Sequence, residues 1–159
     1  MKITIIAVGK IKEKYWRDAI AEYEKRLGKY GKISLIEVED EKAPDHIGDV
    51  LVEQILAKEA QRISKHIKAD AYVIALEIKG RAMDSEALAA FFAKQAVDGA
   101  SHLQFLIGGS LGLHRSLSER AEMGLSFSAF TFPHQMMRVI LLEQIYRAFR
   151  INAGEPYHK

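Results

Sequence analysis

Five short apolar runs, each followed by a longer stretch with helical spacing, constrain this chain more than any other feature. The runs lie at residues 2–8, 32–39, 71–77, 103–107 and 125–127. After the first, Trp16, Ile20, Tyr23 and Leu27 recur at i, i+4, i+7 and i+11, the spacing of one helix face. After the second, Leu51, Ile55, Ala60 and Ile63 fall on roughly one face of a helix over 50–67. Further helices are predicted over 87–96, 117–123 and 136–151. Gly28 and Gly31 end the first helix, Lys79-Gly80 reads as a turn after the third strand, and Asp84 is a good N-cap. The runs at 71–77 and 103–107 are apolar but for Glu77 and Gln104, as strands covered on both faces tend to be. Strict alternation of strand and helix predicts one α/β domain spanning 1–159, with a mostly parallel sheet and helices on both faces. Such sheets bind ligands beyond the carboxyl ends of their strands. Here that means the loops after Leu76, Ile107 and Phe127.

The loop after Ile107 is the most unusual. The apolar strand stops abruptly in Gly108-Gly109-Ser110-Leu111-Gly112. Glycine admits positive φ and lets a ligand approach bare backbone. Taken alone, the glycine pair also fits a tight turn without a ligand. It is not a dinucleotide fingerprint, because the first strand ends in Val8-Gly9-Lys10 without G-x-G-x-x-G. No G-x-x-x-x-G-K-[ST] phosphate loop and no G-x-S-x-G elbow occurs.

Composition closes off other classes. The chain has no cysteine, so disulfides and thiol chemistry are excluded, and its six histidines show no H-E-x-x-H or similar spacing, so no metal is expected. No apolar run approaches the ~20 residues that span a bilayer, and residues 1–9 read as a strand rather than a signal peptide. No membrane association and a cytoplasmic location are the expectation. Twenty-three Lys and Arg against 21 Asp and Glu give a net charge of only +2, unlike a polybasic nucleic-acid binder. The charge is uneven, with eight basic and four acidic residues over 1–30 but two and eight over 35–60.

The carboxyl-terminal third carries most of the candidate chemistry. His134 follows Pro133 at the mouth of the last helix and is a site candidate. That helix is apolar nearly all round through Met136, Met137, Val139, Ile140, Leu141 and Leu142, which predicts burial by its own sheet and by a partner subunit. Arg138 lies near the turn 127–134, and Glu143 with Arg147 reads as a structural i, i+4 ion pair rather than a catalytic one. The tail ends in Pro156-Tyr157-His158-Lys159, where a rigid residue and a large aromatic suit docking.

The ordered set of segments resembles the bacterial rRNA large-subunit methyltransferase H family, a minimal branch of the SPOUT class. The resemblance covers the full length and is strongest in LIGGSLGL at 106–113, SAFTFP at 128–133, His134 with Arg138, EQIYRA at 143–148, and Asn152 through Tyr157-His158. It implies a SPOUT α/β domain whose carboxyl-terminal chain is tucked through a loop as a trefoil knot. It implies S-adenosyl-L-methionine as cofactor, held by Leu76, Gly108, Phe127, Ser128, Ala129, Phe130, Thr131 and Phe132. It implies a homodimer that methylates N3 of a pseudouridine in 23S rRNA within the ribosome. Arg138 or Lys159 would steady the anionic base and His158 or a water would accept its proton, with Tyr157, His158 and Lys159 closing over the base. Lys10, Lys12, Lys14, Arg17 and Arg115 are expected to face RNA. Two readings stay open beside it: methylation of another RNA such as tRNA, and a non-enzymatic nucleotide- or ribosome-binding module.

Overall fold

The computed structural model describes residues 1–157, and His158 and Lys159 lie outside the described residues. Five strands, β1 (Lys2–Val8), β2 (Lys32–Val38), β3 (Tyr72–Ala82), β4 (His102–Ile107) and β5 (Met123–Ser126), form one sheet in the order β2-β1-β4-β3-β5. Every pairing is parallel, so the expected mostly parallel sheet is wholly so. The intervening helices are α1 (Lys14–Leu27), α2 (Asp49–Ser64), α3 (Ser85–Val97), α4 (Arg115–Arg120) and α5 (His134–Asn152).

Strand alternation divides the core in two. Ile3, Ile5 and Ala7 of β1, with Leu103, Phe105 and Ile107 of β4, pack under α1, α3 and α5. Ile6, Val8 and Leu106 point the opposite way, onto Ala60 and Ile63 of α2 and Leu117 of α4. The central strands are therefore largely apolar on both faces, which is why 103–107 reads as a mostly apolar run. Buried polar groups on the second face are paired. Thr4 Oγ1 lies 3.0 Å from His102 Nε2 and 3.1 Å from Ser34 Oγ. Gln104 accepts from Lys68 N at 2.7 Å and donates to His66 O at 3.0 Å, tying the end of α2 to the sheet.

Several boundaries differ from the sequence expectations. Lys79-Gly80 is not a turn: β3 continues to Ala82, and Leu125 of β5 pairs with both Leu76 and Arg81. Residues 77–80 are thus a bulge. Gly80 fits it because a Cβ there would lie 2.7 Å from the Gly124 and Leu125 backbone. The short helix starts earlier, at Arg115, and Met123 belongs to β5. Asp84 does cap α3, accepting from Ala87 N at 2.7 Å. The burial expected of a partner subunit along 136–151 is largely supplied within the chain, because α5 packs against both α1 and α3. Leu141, Leu142, Ile145 and Ala148 are fully covered, and Met136, Val139 and Ile140 stay half-buried.

Candidate functional site

The carboxyl ends of β3, β4 and β5 open into one cleft of about 710 Å³, and the three loops singled out from strand ends form its walls. Leu76, Glu77 and Ile78, where β3 begins to bulge, make the first wall. Ser118 of α4 donates to Glu77 Oε2 at 2.8 Å and holds that carboxylate in place.

Residues 107–112 make the second wall. The chain reverses tightly: Gly112 N donates to Gly109 O at 3.1 Å, and Gly112 sits at φ +86°. A Cβ on Gly108 would collide with Gly112 O and lie 2.9 Å from Leu113 N. Glycine is required at 108 because the turn folds back onto it, before any ligand is considered.

The third wall is the loop from Phe127 to the start of α5. Phe130 N donates to Ser128 Oγ at 3.0 Å, a local hydroxyl turn that shapes the loop. Phe127 leans on the core, whereas the Phe130 ring is 78% exposed at the cleft lip. Pro133 precedes the helix, where the absence of an N–H costs no helical hydrogen bond.

His134 and Met137, on the first turn of α5, complete the lining. Burial lowers the pKa of His134 below its ordinary value. The Arg138 guanidinium pushes the same way, and Asp40 and Glu13 oppose it. Below His134, Arg138 has no exposed surface. It donates to Glu37 Oε1 at 2.6 Å, Val8 O at 2.7 Å and Gly9 O at 2.8 Å. Ile11 N donates to the same Glu37 oxygen at 3.0 Å. The start of α5, the ends of β1 and β2, and the loop after β1 are therefore joined through one guanidinium. Burial lowers the Arg138 pKa and Glu37 works against that. A guanidinium begins so high that it stays charged.

Three comparisons with known proteins bear on this arrangement. The chain is 63% identical over 159 residues to ribosomal RNA large subunit methyltransferase H of Bifidobacterium adolescentis, covering all of both chains. It is 60% identical, again over the full length of both, to the protein of that name from Bifidobacterium animalis subsp. lactis. The model of the family described as "Predicted SPOUT methyltransferase" matches residues 1–158. The chain belongs to the SPOUT methyltransferase family, in the branch of ribosomal RNA large subunit methyltransferase H. Two more distant solved structures agree in architecture. A methylase-family protein from Haemophilus influenzae Rd KW20 superposes with a TM-score of 0.52 at 15% identity, over 99% of this chain and 70% of that one. A Legionella pneumophila protein solved with bound SAM gives 0.50 at 9% identity, over 93% and 66%. At those identities the likeness concerns the fold alone.

Of the residues expected to hold a cofactor in this SPOUT chain, Leu76, Gly108, Phe127, Ser128, Phe130, Thr131 and Phe132 line the cleft, and Ala129 does not. Glu77, Ile78, Leu125 and Met137 also line it and were not singled out from sequence. Their signal is weak because each is an ordinary strand or helix residue. Arg138 lies in the buried network rather than on the cleft surface. Tyr157 is docked elsewhere, with its ring edge-on to Tyr146 at 5.0 Å, Arg147 over it at 4.6 Å and its hydroxyl 3.3 Å from Glu143 Oε1. Glu143 and Arg147 form the expected ion pair at 2.6 Å. Glu155 anchors the same segment to Lys29 at 3.1 Å and Tyr30 at 2.6 Å. The expectations for His158 and Lys159 fall outside the described residues.

Proposed function

We propose that this protein transfers a methyl group from S-adenosyl-L-methionine to N3 of a pseudouridine in 23S rRNA on the assembled ribosome, acting as a cytoplasmic homodimer with a knotted carboxyl-terminal chain. The observation that carries the reading is the convergence of three strand-end loops on one cleft in a chain that matches methyltransferase H relatives from end to end.

The residues present suit the cofactor. The cleft volume lies in the ordinary range for small-molecule sites, roughly 300–1,000 Å³. Leu76, Ile107, Leu125 and Phe127 offer apolar walls for an adenine ring, and the loop 127–132 offers backbone groups for its polar edge. The turn at 108–112 has three glycines and so admits a ligand against bare backbone. When bound, the cofactor's sulfonium supplies an activated methyl group, so the protein needs no nucleophile of its own.

What the chain contributes is alignment and proton handling. Holding the base nitrogen in line with the methyl carbon is the largest contribution, because it turns a bimolecular encounter into an intramolecular one. Arg138 contributes as a positioning residue, fixing the first turn of α5 against the ends of β1 and β2. His158 and Lys159 act on the base side of the reaction. The half-buried Met136, Val139 and Ile140 of α5 belong to the interface between two copies of the chain. That helps explain how a protein of net charge +2 engages rRNA, since a dimer doubles each basic patch.

The test is methyl transfer from labelled cofactor to whole ribosomes, deproteinised rRNA and tRNA, with nucleoside mass spectrometry of the products. The expected product is N3-methylpseudouridine from 23S rRNA, formed on ribosomes. Methylation of tRNA instead would redirect the substrate, and no transfer to any RNA would overturn the enzymatic reading.

A further inference from the structure

Methylation at N3 of a pseudouridine needs a proton acceptor, because that nitrogen begins as an imide N–H. Among the described residues lining the cleft, two side chains carry an atom that can act as a proton acceptor, Glu77 and His134. Glu77 is engaged by Ser118 Oγ at 2.8 Å and lies tight against Gly124. No described residue hydrogen-bonds the His134 ring. We infer that His134 is the catalytic residue that accepts the N3 proton, an inference that rests on the substrate reading above.

The surroundings suit that role. His134 opens α5, which Arg138 locks to the sheet, so the imidazole is carried by a fixed element rather than a free loop. Its Nε2 lies 3.6 Å from where a Cβ of Gly9 would stand, so the bare Gly9 backbone, at φ +89°, borders the ring without crowding it. The groups facing it are Arg138 of α5, Asp40 beyond β2, and Glu13 of the loop after β1. Burial and Arg138 keep the free imidazole neutral and ready to accept, and the two carboxylates offset the charge that then develops.

The step balances. The N3–H bond breaks and its proton passes to an imidazole nitrogen of His134. The N3 electron pair forms the bond to the methyl carbon. The carbon–sulfur bond breaks with its pair remaining on sulfur, giving a neutral thioether. The imidazolium afterwards releases its proton to water.

The experiment compares wild type with His134→Gln in single-turnover transfer to ribosomes at saturating cofactor across a range of pH. Cofactor affinity is measured by calorimetry, and the imidazole is titrated by NMR. The expected result is a loss of roughly 10²–10⁴-fold near neutral pH that shrinks as pH rises and hydroxide replaces the lost base, with unchanged cofactor affinity. Wild-type His134 should titrate below 6.5, and the acid limb of the wild-type rate should fall at the same pH. An unchanged rate, a loss constant across pH, or a lost cofactor affinity would overturn the assignment. So would a wild-type acid limb unrelated to the imidazole titration, a readout independent of whether the variant folds. Wild-type protein that yields no N3-methylated product overturns the substrate reading itself, on a separate arm.

Discussion

Replacing Arg138 with methionine keeps most of the side chain's length and removes its charge and donors. Three acceptors lose a donor: Val8 O, Gly9 O and the Glu37 carboxylate, which keeps Ile11 N. Breaking a buried ion pair by deleting one member costs about 3–5 kcal/mol, since the surviving polar groups stay desolvated. Glu37 retains 29% exposure of its side chain, so water takes up part of its loss, whereas the Val8 carbonyl lies in a residue only 1% exposed. A destabilisation of about 3–4 kcal/mol follows, or roughly 6–16 °C in Tm for a domain of this size. Glu37→Gln alone should cost about 2–3 kcal/mol: the amide oxygen can still accept from Arg138 and Ile11, but the fully buried guanidinium loses its counter-charge. The double variant should lose less than the two added together, with a coupling of roughly 0.5–3 kcal/mol. Arg138→Lys should recover only part of the stability, since one ammonium cannot match a planar fork aimed at three acceptors. Urea denaturation of wild type and the four variants gives all these values. An Arg138→Met variant with wild-type stability but no methyl transfer would refute the reasoning and put the guanidinium at the substrate base.

Other outcomes follow from the same geometry. Gly108→Ala should cost at least about 2 kcal/mol and most of the S-adenosyl-L-methionine affinity, because the new methyl strikes Gly112 and opens the turn; thermal melting and calorimetry check this. His102, buried beside Thr4, has its pKa lowered chiefly by desolvation. Between its folded pKa and the unfolded 6.5 the unfolded chain binds more protons, so stability is complete above 6.5 and is lost as pH falls below it. His102→Gln should flatten that acid slope in denaturation curves measured against pH, leaving the share contributed by His134, which has the same sign. Sedimentation at micromolar concentration should give twice 17.9 kDa, and Ile140→Asp should shift it to the monomer; a wild-type monomer with full activity would remove the dimer from the account.

Strand ends were the most legible part of this sequence. The apolar runs at 71–77 and 103–107 are buried on both faces, so composition alone marks them, and in a parallel sheet their carboxyl ends mark the cleft. The glycine turn was legible for a similar reason, although its first requirement proved to be the fold of the loop itself. The bulge of β3 was not, because Gly80 signals a break in any local reading and only its packing on Gly124 shows that the strand continues. The network around Arg138 was not legible, because its place one turn into the last helix points a local reading only to the turn 127–134. Its partners in the structure, Glu37 and two carbonyls of β1 and the following loop, are about a hundred residues or more away in the chain. The two-sided apolar character of α5 was read correctly as double burial, but α1 and α3 supply much of the cover, and periodicity cannot say which element covers a face.

The central claim is that the three strand-end loops together form the cofactor site, and a crystal structure with S-adenosyl-L-methionine bound tests it most directly. The account predicts the adenosine between Leu76, the turn at 108–112 and the loop 127–132, with the methyl group facing the side of the cleft where His134 stands. Density for the cofactor anywhere else, such as the open groove between α2 and α4 lined by Gln61, Lys65 and His114, would contradict it.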